Sequence, residues 1–476
     1  MHFSSSCTTL LAAMLALATT TSPVTASTAK KQQQHANAVK GQKKKTMTMT
    51  NNNLRHQQHN DRRGLKSGSS TDDLTTINCS ERTADGTATK SHIFVEDGTT
   101  CIISGNSSIS GSITLGVDSL LVLDDSAHVM GDVIITNDSQ GINTSTDTII
   151  DGTVSVTSGA SVDRLILTGS IGTGITVEGV TITTYVYIDS NIYNQGNVYI
   201  KDVTAQCDII LMNSVQTDSI YIENIDYTNA PSKLVVKVPE TMENDVTITS
   251  ITNASYIELM YYGLAENNFN TIVQDVTVTD NGIANFSLQG TGDLTVSNVN
   301  AEGSSYLTSE SIGHLHLKDL HAGEKVNISV ETAEKVTLDN VTSSDDVVQI
   351  SGTTITNGDL KIKNCDFDDA ASKLSESLII TENTLQNGNL VIEKITTTTF
   401  DNTVQDIYIS SNTISGSDNN LKIKDLDIGG KLTIEYNQVN DGYMIVEDNT
   451  IGGAYDMNNN VLSKGIAWKD NVAASF

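Results

Sequence analysis

From Leu294 to Val341 the chain writes one pattern three times at intervals of 21 residues: Leu294, Val296, Asn298, Val299; Leu315, Leu317, Asp319, Leu320; Val336, Leu338, Asn340, Val341. In each unit apolar and polar residues alternate, an Asn or Asp follows, and one more apolar residue closes the unit. Alternation with period two suits a strand with one buried face. Recurrence at a fixed interval of roughly 20 to 50 residues marks a solenoid whose coils bury their apolar sides against one another.

The unit extends in both directions, through Val198-Ile200-Asp202-Val203, Ile220-Ile222-Asn224-Ile225 and Val246-Ile248-Ser250-Ile251, then Leu360-Ile362-Asn364-Cys365, Leu390-Ile392-Lys394-Ile395 and Leu421-Ile423-Asp425-Leu426. A second variant carries its Asn one place later: Leu378-Ile380-Asn383, Ile407-Ile409-Asn412, Leu432-Ile434-Asn437 and Met444-Val446-Asn449. Two strand types within a coil imply at least two sheets. Stacked Asn residues can bond from coil to coil, and Asn tolerates the left-handed turn conformation. The interval grows from 21 residues in the middle to about 30 from Leu360 to Leu421. The extra residues belong in loops on one side, where a ligand site is expected. Between Ile103 and Ile135 the units are shorter and richer in Gly, as narrow first coils or a cap require.

The expected fold is therefore all-β, a single-stranded parallel β-helix (β-solenoid) of about 15 coils, roughly 70 Å long at ~4.8 Å per coil. With three prolines in the whole chain, little interrupts strand pairing. Four segments are expected: a signal peptide over 1–26, a basic low-complexity disordered segment over 27–74, a cap with short coils over 75–132, and the β-helix over 133–476. The apolar run Leu10–Ala18 is too short to span a bilayer, and Val24-Thr25-Ala26 resembles a cleavage site, although no Lys or Arg precedes the run. Arg62-Arg63 is a candidate processing site for removing the basic head as a pro-segment. No later stretch reaches the ~18 apolar residues of a membrane helix, so no membrane span is expected.

Charge changes the picture sharply. Residues 1–66 hold 10 of the 28 basic residues and one acid, Asp61, which leaves a formal balance of −38 on residues 67–476. Such a body repels nucleic acid and anionic lipid and attracts cations or basic partners. Self-repulsion also favours a soluble monomer. Cys79 and Cys101 flank the start of the patterned region, and a disulfide between them would stabilise it by about 3 kcal/mol in an oxidising compartment. Cys365, in an apolar slot, is expected to be a buried thiol, and Cys207 the same. Asn-x-Ser/Thr sequons occur at Asn78, Asn106, Asn137, Asn143, Asn253, Asn285, Asn327 and Asn340. Asn106, Asn253, Asn285 and Asn327 are the glycosylation candidates, whereas Asn340 belongs to the turn pattern.

The repeating units resemble the right-handed parallel β-helix of the pectin-lyase-like group of secreted proteins, over most of the chain from about residue 103. The resemblance implies right-handed coiling and a group that includes lyases, glycosidases, adhesins and surface proteins. The chain departs from the catalytic members. Of the glycosidase series Asn-Thr-Asp, Asp-Asp, Gly-His-Gly and Arg-Ile-Lys it keeps only Asp-Asp pairs, at Asp124-Asp125, Asp345-Asp346 and Asp368-Asp369, and after Arg82 its only Arg is Arg164. Neighbours on a strand point to opposite faces and Asp favours turns, so these pairs read as turns rather than paired catalytic acids.

Other candidates are weighed similarly. Tyr199 and Tyr221, 22 residues apart, should stack on neighbouring coils beside a Lys201–Glu223 pair; with Tyr187 they form a candidate ligand surface, although aromatic pairing also stabilises sheets by itself. His314 and His316 lie two apart on one strand face, as zinc or copper ligands can, but solvated histidines do so too. Weakly bound Ca2+ on turn carboxylates is the only cofactor expected. The sequence points to a secreted, acidic, non-catalytic β-helix with a structural, adhesive, carbohydrate-binding or cation-binding role at the cell surface or in the matrix, its partners being extracellular polysaccharide or wall components. The alternative is a polysaccharide-active enzyme with a site in the longer coils of residues 360–460.

Overall fold

The computed structural model describes residues 75–79, 88–89 and 91–475, apart from 158, 194–195, 213–216, 230, 239–244, 262–269, 289–291, 345–346, 368–375 and 398–405. The chain divides into two compact units, Met1–Ser70 and Thr71–Phe476. The first unit, with the expected signal peptide, basic segment and processing site, lies outside the described residues. The second is all-β, a parallel β-solenoid of about 15 turns with no helix among the described residues.

One inward column defines the first face. It runs from Ile93 through Ile113, Val133, Val154 and Ile175 to Leu294, Leu315, Val336, Leu360 and Met444, each in register with the next coil. These side chains are almost wholly buried, and each contributes about 1.5–3 kcal/mol over an exposed position. The repeating units of the sequence are rungs of this face. One rung, Thr271-Val273-Asp275-Val276, escapes the apolar pattern because Thr271 stands in the inward slot, where its hydroxyl is bonded to that of Tyr261.

The second face carries an equivalent column, including Cys101, Leu121, Ile142, Leu165, Val186, Ile209, Leu378, Ile407 and Leu432. Leu378, Ile407 and Leu432 of the Asn-bearing variant lie here. Met444, expected with them, belongs to the first face beneath Leu421. Its Asn449 fills the slot after the corner that is Val, Leu or Ile in most other rungs.

Up to residue 192 a third, six-stranded face of two-residue strands closes each coil, and the first-face column then recurs every 20 residues (Ile93, Ile113, Val133). Farther along, the first-face strand turns a corner into a short fourth segment, so that Leu294–Ala301 and Val326–Ser343 are continuous strands bent once or more. The corner residue is left-handed coil after coil: Asp202, Asn224, Ser250, Asp275, Asn298, Asp319, Asn340, Asn364, Lys394, Asp425, Asp448 and Asp470 all have φ between 50° and 58°. Asn and Asp enter this region easily. Ser250 and Lys394 tolerate a strain of roughly 1 kcal/mol because the strands on either side fix their backbone.

At these exposed corners Asn224, Asn298 and Asn340 donate from Nδ2 to Asp202, Asp275 and Asp319 of the coil before, at 2.6 to 2.8 Å. The Asn residues of the second variant behave differently, pointing inward as a fully buried ladder, Asn383 on Asn412 on Asn437. Cys79 and Cys101 form a disulfide joining the first and second faces at the start of the solenoid. Cys207 and Cys365 are buried thiols outside that disulfide, as expected, and burial pushes the Cys365 thiol up to about 12.

Candidate functional site

The expected tyrosine pair stands on the first face. Tyr199 and Tyr221 are in register on adjacent coils, with ring centroids 4.9 Å apart and planes within 6°. Lys201 and Glu223 pair beside them at 3.1 Å, and Asn197 donates from Nδ2 to the Tyr199 hydroxyl at 3.1 Å. A sugar stacks on the face of an aromatic ring, but here the facing sides of the rings cover each other. What they offer outward is their edges and hydroxyls.

Tyr187 does not join them. It lies on the second face, in register between Ile166 and Ile210, and stacks on Tyr185 at 6.0 Å. Burial and the nearby Asp189 carboxylate push its hydroxyl up to about 12. The anticipated single surface of Tyr187, Tyr199 and Tyr221 is thus split between two faces, because 12 residues along a coil of about 22 leads to its other side. Outward of the second face, Ile166, Tyr187, Ile210 and Val235 form an apolar column, with Arg164 next to Tyr185 in the neighbouring column.

The third face holds a cluster that sequence reading missed. His128 Nε2 lies 2.9 Å from Asp151 Oδ2, and the Tyr193 hydroxyl donates to Asp151 Oδ1 at 2.6 Å. Tyr193 reaches Asp151 across Gly172, where a Cβ would stand 1.9 Å from the Asp151 carbonyl oxygen. Burial acts to raise the Asp151 pKa, but the bonds from Tyr193 and His128 outweigh it and hold the carboxylate below its usual range. Burial and Asp151 together push Tyr193 up to about 12. The members are separated by 23 and 42 residues, close to one and two coils, which is the only sequence signal that links them. Tyr185, Tyr187, Tyr193 and Tyr199 consequently ring one turn of the solenoid, where the third face ends.

The histidine pair is spread among other partners. His314 is exposed, with Nδ1 3.3 Å from Asp293 and Nε2 3.7 Å from Glu334, while His316 stands in register between Thr295 and Thr337. Among the described residues no three His, Cys, Asp or Glu side chains gather as a metal would need. Asp125 of the Asp124-Asp125 pair takes a left-handed turn conformation; the other two pairs lie outside the described residues. Of the glycosylation candidates, Asn106 is exposed and Asn327 half-buried, whereas Asn253 and Asn285 donate from Nδ2 to Asp226 and Glu258. Asn340 is likewise held by Asp319.

A second feature emerges only from the register. One outward column of the first face reads Lys318, Asp339, Lys363, Glu393, Lys424, Glu447 and Lys469, opposite charges alternating through seven successive coils. Lys363 lies 2.7 Å from Asp339, and Lys361 of the next column 2.6 Å from Glu393. No family model matches this chain, and no curated protein or solved structure matches it either.

Proposed function

We propose that the chain is a secreted, non-catalytic β-solenoid that serves as a structural or adhesive rod at the cell surface or in the extracellular matrix, related in architecture to the right-handed pectin-lyase-like group. The observation that supports this is the alternating column from Lys318 to Lys469. Within it Lys363 pairs with Asp339 and Lys424 with Glu447 from coil to coil, as the Tyr199–Tyr221 and Asn–Asp pairs do. Side chains committed in this way hold register and resist slippage. The acids beyond this column, within a balance of −38, suit weak Ca2+ binding or contact with wall polymers.

The test combines glycan-array and wall-polymer binding with reducing-sugar and unsaturated-product assays on the secreted protein. Retention on wall material without turnover is the expected result. Turnover of any polysaccharide above the blank would replace this reading with the enzymatic one.

A further inference from the structure

On the third face Met130, Asp151, Gly172 and Tyr193 follow one another in a single outward column, each one coil beyond the last. Ile149 and His128 are neighbours in the adjoining column. Asp151 and Tyr193 are therefore two coils apart, about 9.6 Å, close to the combined reach of their side chains, and the 2.6 Å bond between them lays the ring along the solenoid. The ring passes over bare backbone, because at Gly172 the Asp151 carbonyl oxygen excludes any side chain. Tyr187 and Tyr256 bond acids of their own strands and Tyr408 one in the next coil, whereas Tyr193 spans two coils. The rings of Tyr199 and Tyr221 cover each other; Tyr193 has no ring stacked on it among the described residues and is 43% exposed. Met130 and Ile149, 47% and 39% exposed, flank the His128–Asp151 pair.

We propose that this patch binds a neutral sugar residue of a wall polysaccharide, its C–H side on the Tyr193 ring and its hydroxyls on Asp151 and His128. The assignment rests on the wall-contact reading and deepens it by giving a site and a class of sugar. The C–H side of a pyranose suits the negative face of an aromatic ring. Each Asp151 oxygen already accepts one donor, from Tyr193 or His128, and keeps a lone pair for a hydroxyl hydrogen. His128 spends Nε2 on Asp151 and leaves Nδ1 for a second hydroxyl. The same two bonds fix ring and carboxylate before any ligand arrives, so little freedom is lost on binding. Acidic sugars are disfavoured, because Arg164 is the single Lys or Arg between residues 91 and 200, where twelve acids stand. A cationic sugar is drawn by those acids at large and gains nothing particular from Tyr193.

The full chain is titrated calorimetrically with cellohexaose, laminarihexaose, mannohexaose and xylohexaose, and with hexagalacturonate and a glucosamine hexamer as the acidic and cationic arms. The expected result is binding of at least one neutral hexasaccharide with a Kd on the order of 1 mM or tighter. Tyr193→Ala, at an exposed position and checked by circular dichroism, should weaken it about tenfold or more. Tyr193→Phe keeps the ring without its tether and should bind more weakly than the parent, and Tyr221→Ala should bind like the parent. The proposal is overturned by a parent that takes up no neutral hexasaccharide at ~10 mM, or by parent-like affinity in Tyr193→Ala or Tyr193→Phe. Tighter binding of hexagalacturonate or of the glucosamine hexamer overturns it as well. Retention on wall material without dependence on Tyr193 sinks this site alone, whereas turnover of a hexasaccharide sinks the non-catalytic reading alone.

Discussion

Asn383 donates both its backbone N–H and its Nδ2 to Oδ1 of Asn412, at 3.1 and 3.0 Å, with both residues fully buried. The second Nδ2 hydrogen of each goes to a carbonyl of the coil before, Ile350 for Asn383 and Ile380 for Asn412. Every amide in the ladder therefore has its donors and acceptor engaged, which is what allows a polar side chain to replace an apolar one inside the core.

Asn412→Ala removes an acceptor used twice and leaves both Asn383 donors buried without it, beside a small void. A loss of about 2–4 kcal/mol in unfolding free energy is expected from urea titration followed by circular dichroism. A change within a few tenths of a kcal/mol would show that water replaces the amide at no cost.

Replacing Cys79 and Cys101 by Ser opens a link between residues 22 apart in sequence and should cost about 3 kcal/mol. In a solenoid each coil contacts chiefly its neighbours, so the effect should stay local. Hydrogen exchange should accelerate over residues 91–123 and stay unchanged beyond residue 294; uniform acceleration would contradict nearest-neighbour coupling.

Asp339 is held below the usual carboxylate range: burial acts to raise it, but Lys363 and Asn364 outweigh that effect. Its unfolded value is about 3.9. Because the folded value is lower, its contribution is complete above pH ~4 and fades as the pH falls through the folded value. Lys363→Met should weaken this and move the acid-unfolding midpoint upward; an unchanged midpoint would remove Asp339 from the account of acid stability.

Tyr193, pushed up to about 12 by burial and Asp151, favours its neutral form in the fold. The linked stability is present below the unfolded value of about 10 and is lost as pH rises through about 12. Ultraviolet titration of the parent should show several late-ionising tyrosines, Tyr187 among them, and one fewer in Tyr193→Phe, and in that variant the Asp151 carboxylate, followed by carbon NMR, should titrate higher. A late-ionising amplitude that is the same in the parent and in Tyr193→Phe would argue against the bond to Asp151.

Tyr221→Ala tests whether the first-face tyrosines are a ligand surface or a cross-coil pair. Stacking predicts a loss of about 0.5–1.5 kcal/mol in stability beyond that of the area exposed, with retention on wall polymer unchanged. Loss of retention at unchanged stability would reverse the assignment.

The inward columns were legible because period-two alternation and the recurring interval both survive in a single sequence. Thr271 hid one rung by placing a hydroxyl in an apolar slot, and Asn449 disguised another by filling the slot after a corner. The three-sided coils before residue 192 left only two-residue strands on their third face, too short to show alternation. Candidate sites fared worse for a geometric reason. What lies side by side outside a solenoid is separated by whole coils, as His128, Asp151 and Tyr193 are, while residues near in sequence such as Tyr187 and Tyr199 lie on different faces. The alternating charges from Lys318 to Lys469 are a run of single residues until the register of seven coils is known.

The inter-coil hydrogen bonds all lie along the long axis, with mechanical consequences. Tension applied at the two ends loads coil interfaces in series, so the weakest yields first and the others stay intact. A released coil of 21 residues, such as Leu294 to Leu315, spans up to about 70 Å when drawn out, against the ~4.8 Å it occupied. Each failure therefore adds more than tenfold its own length in slack and drops the force on the rest. Under tension such a tether would pay out stepwise instead of snapping.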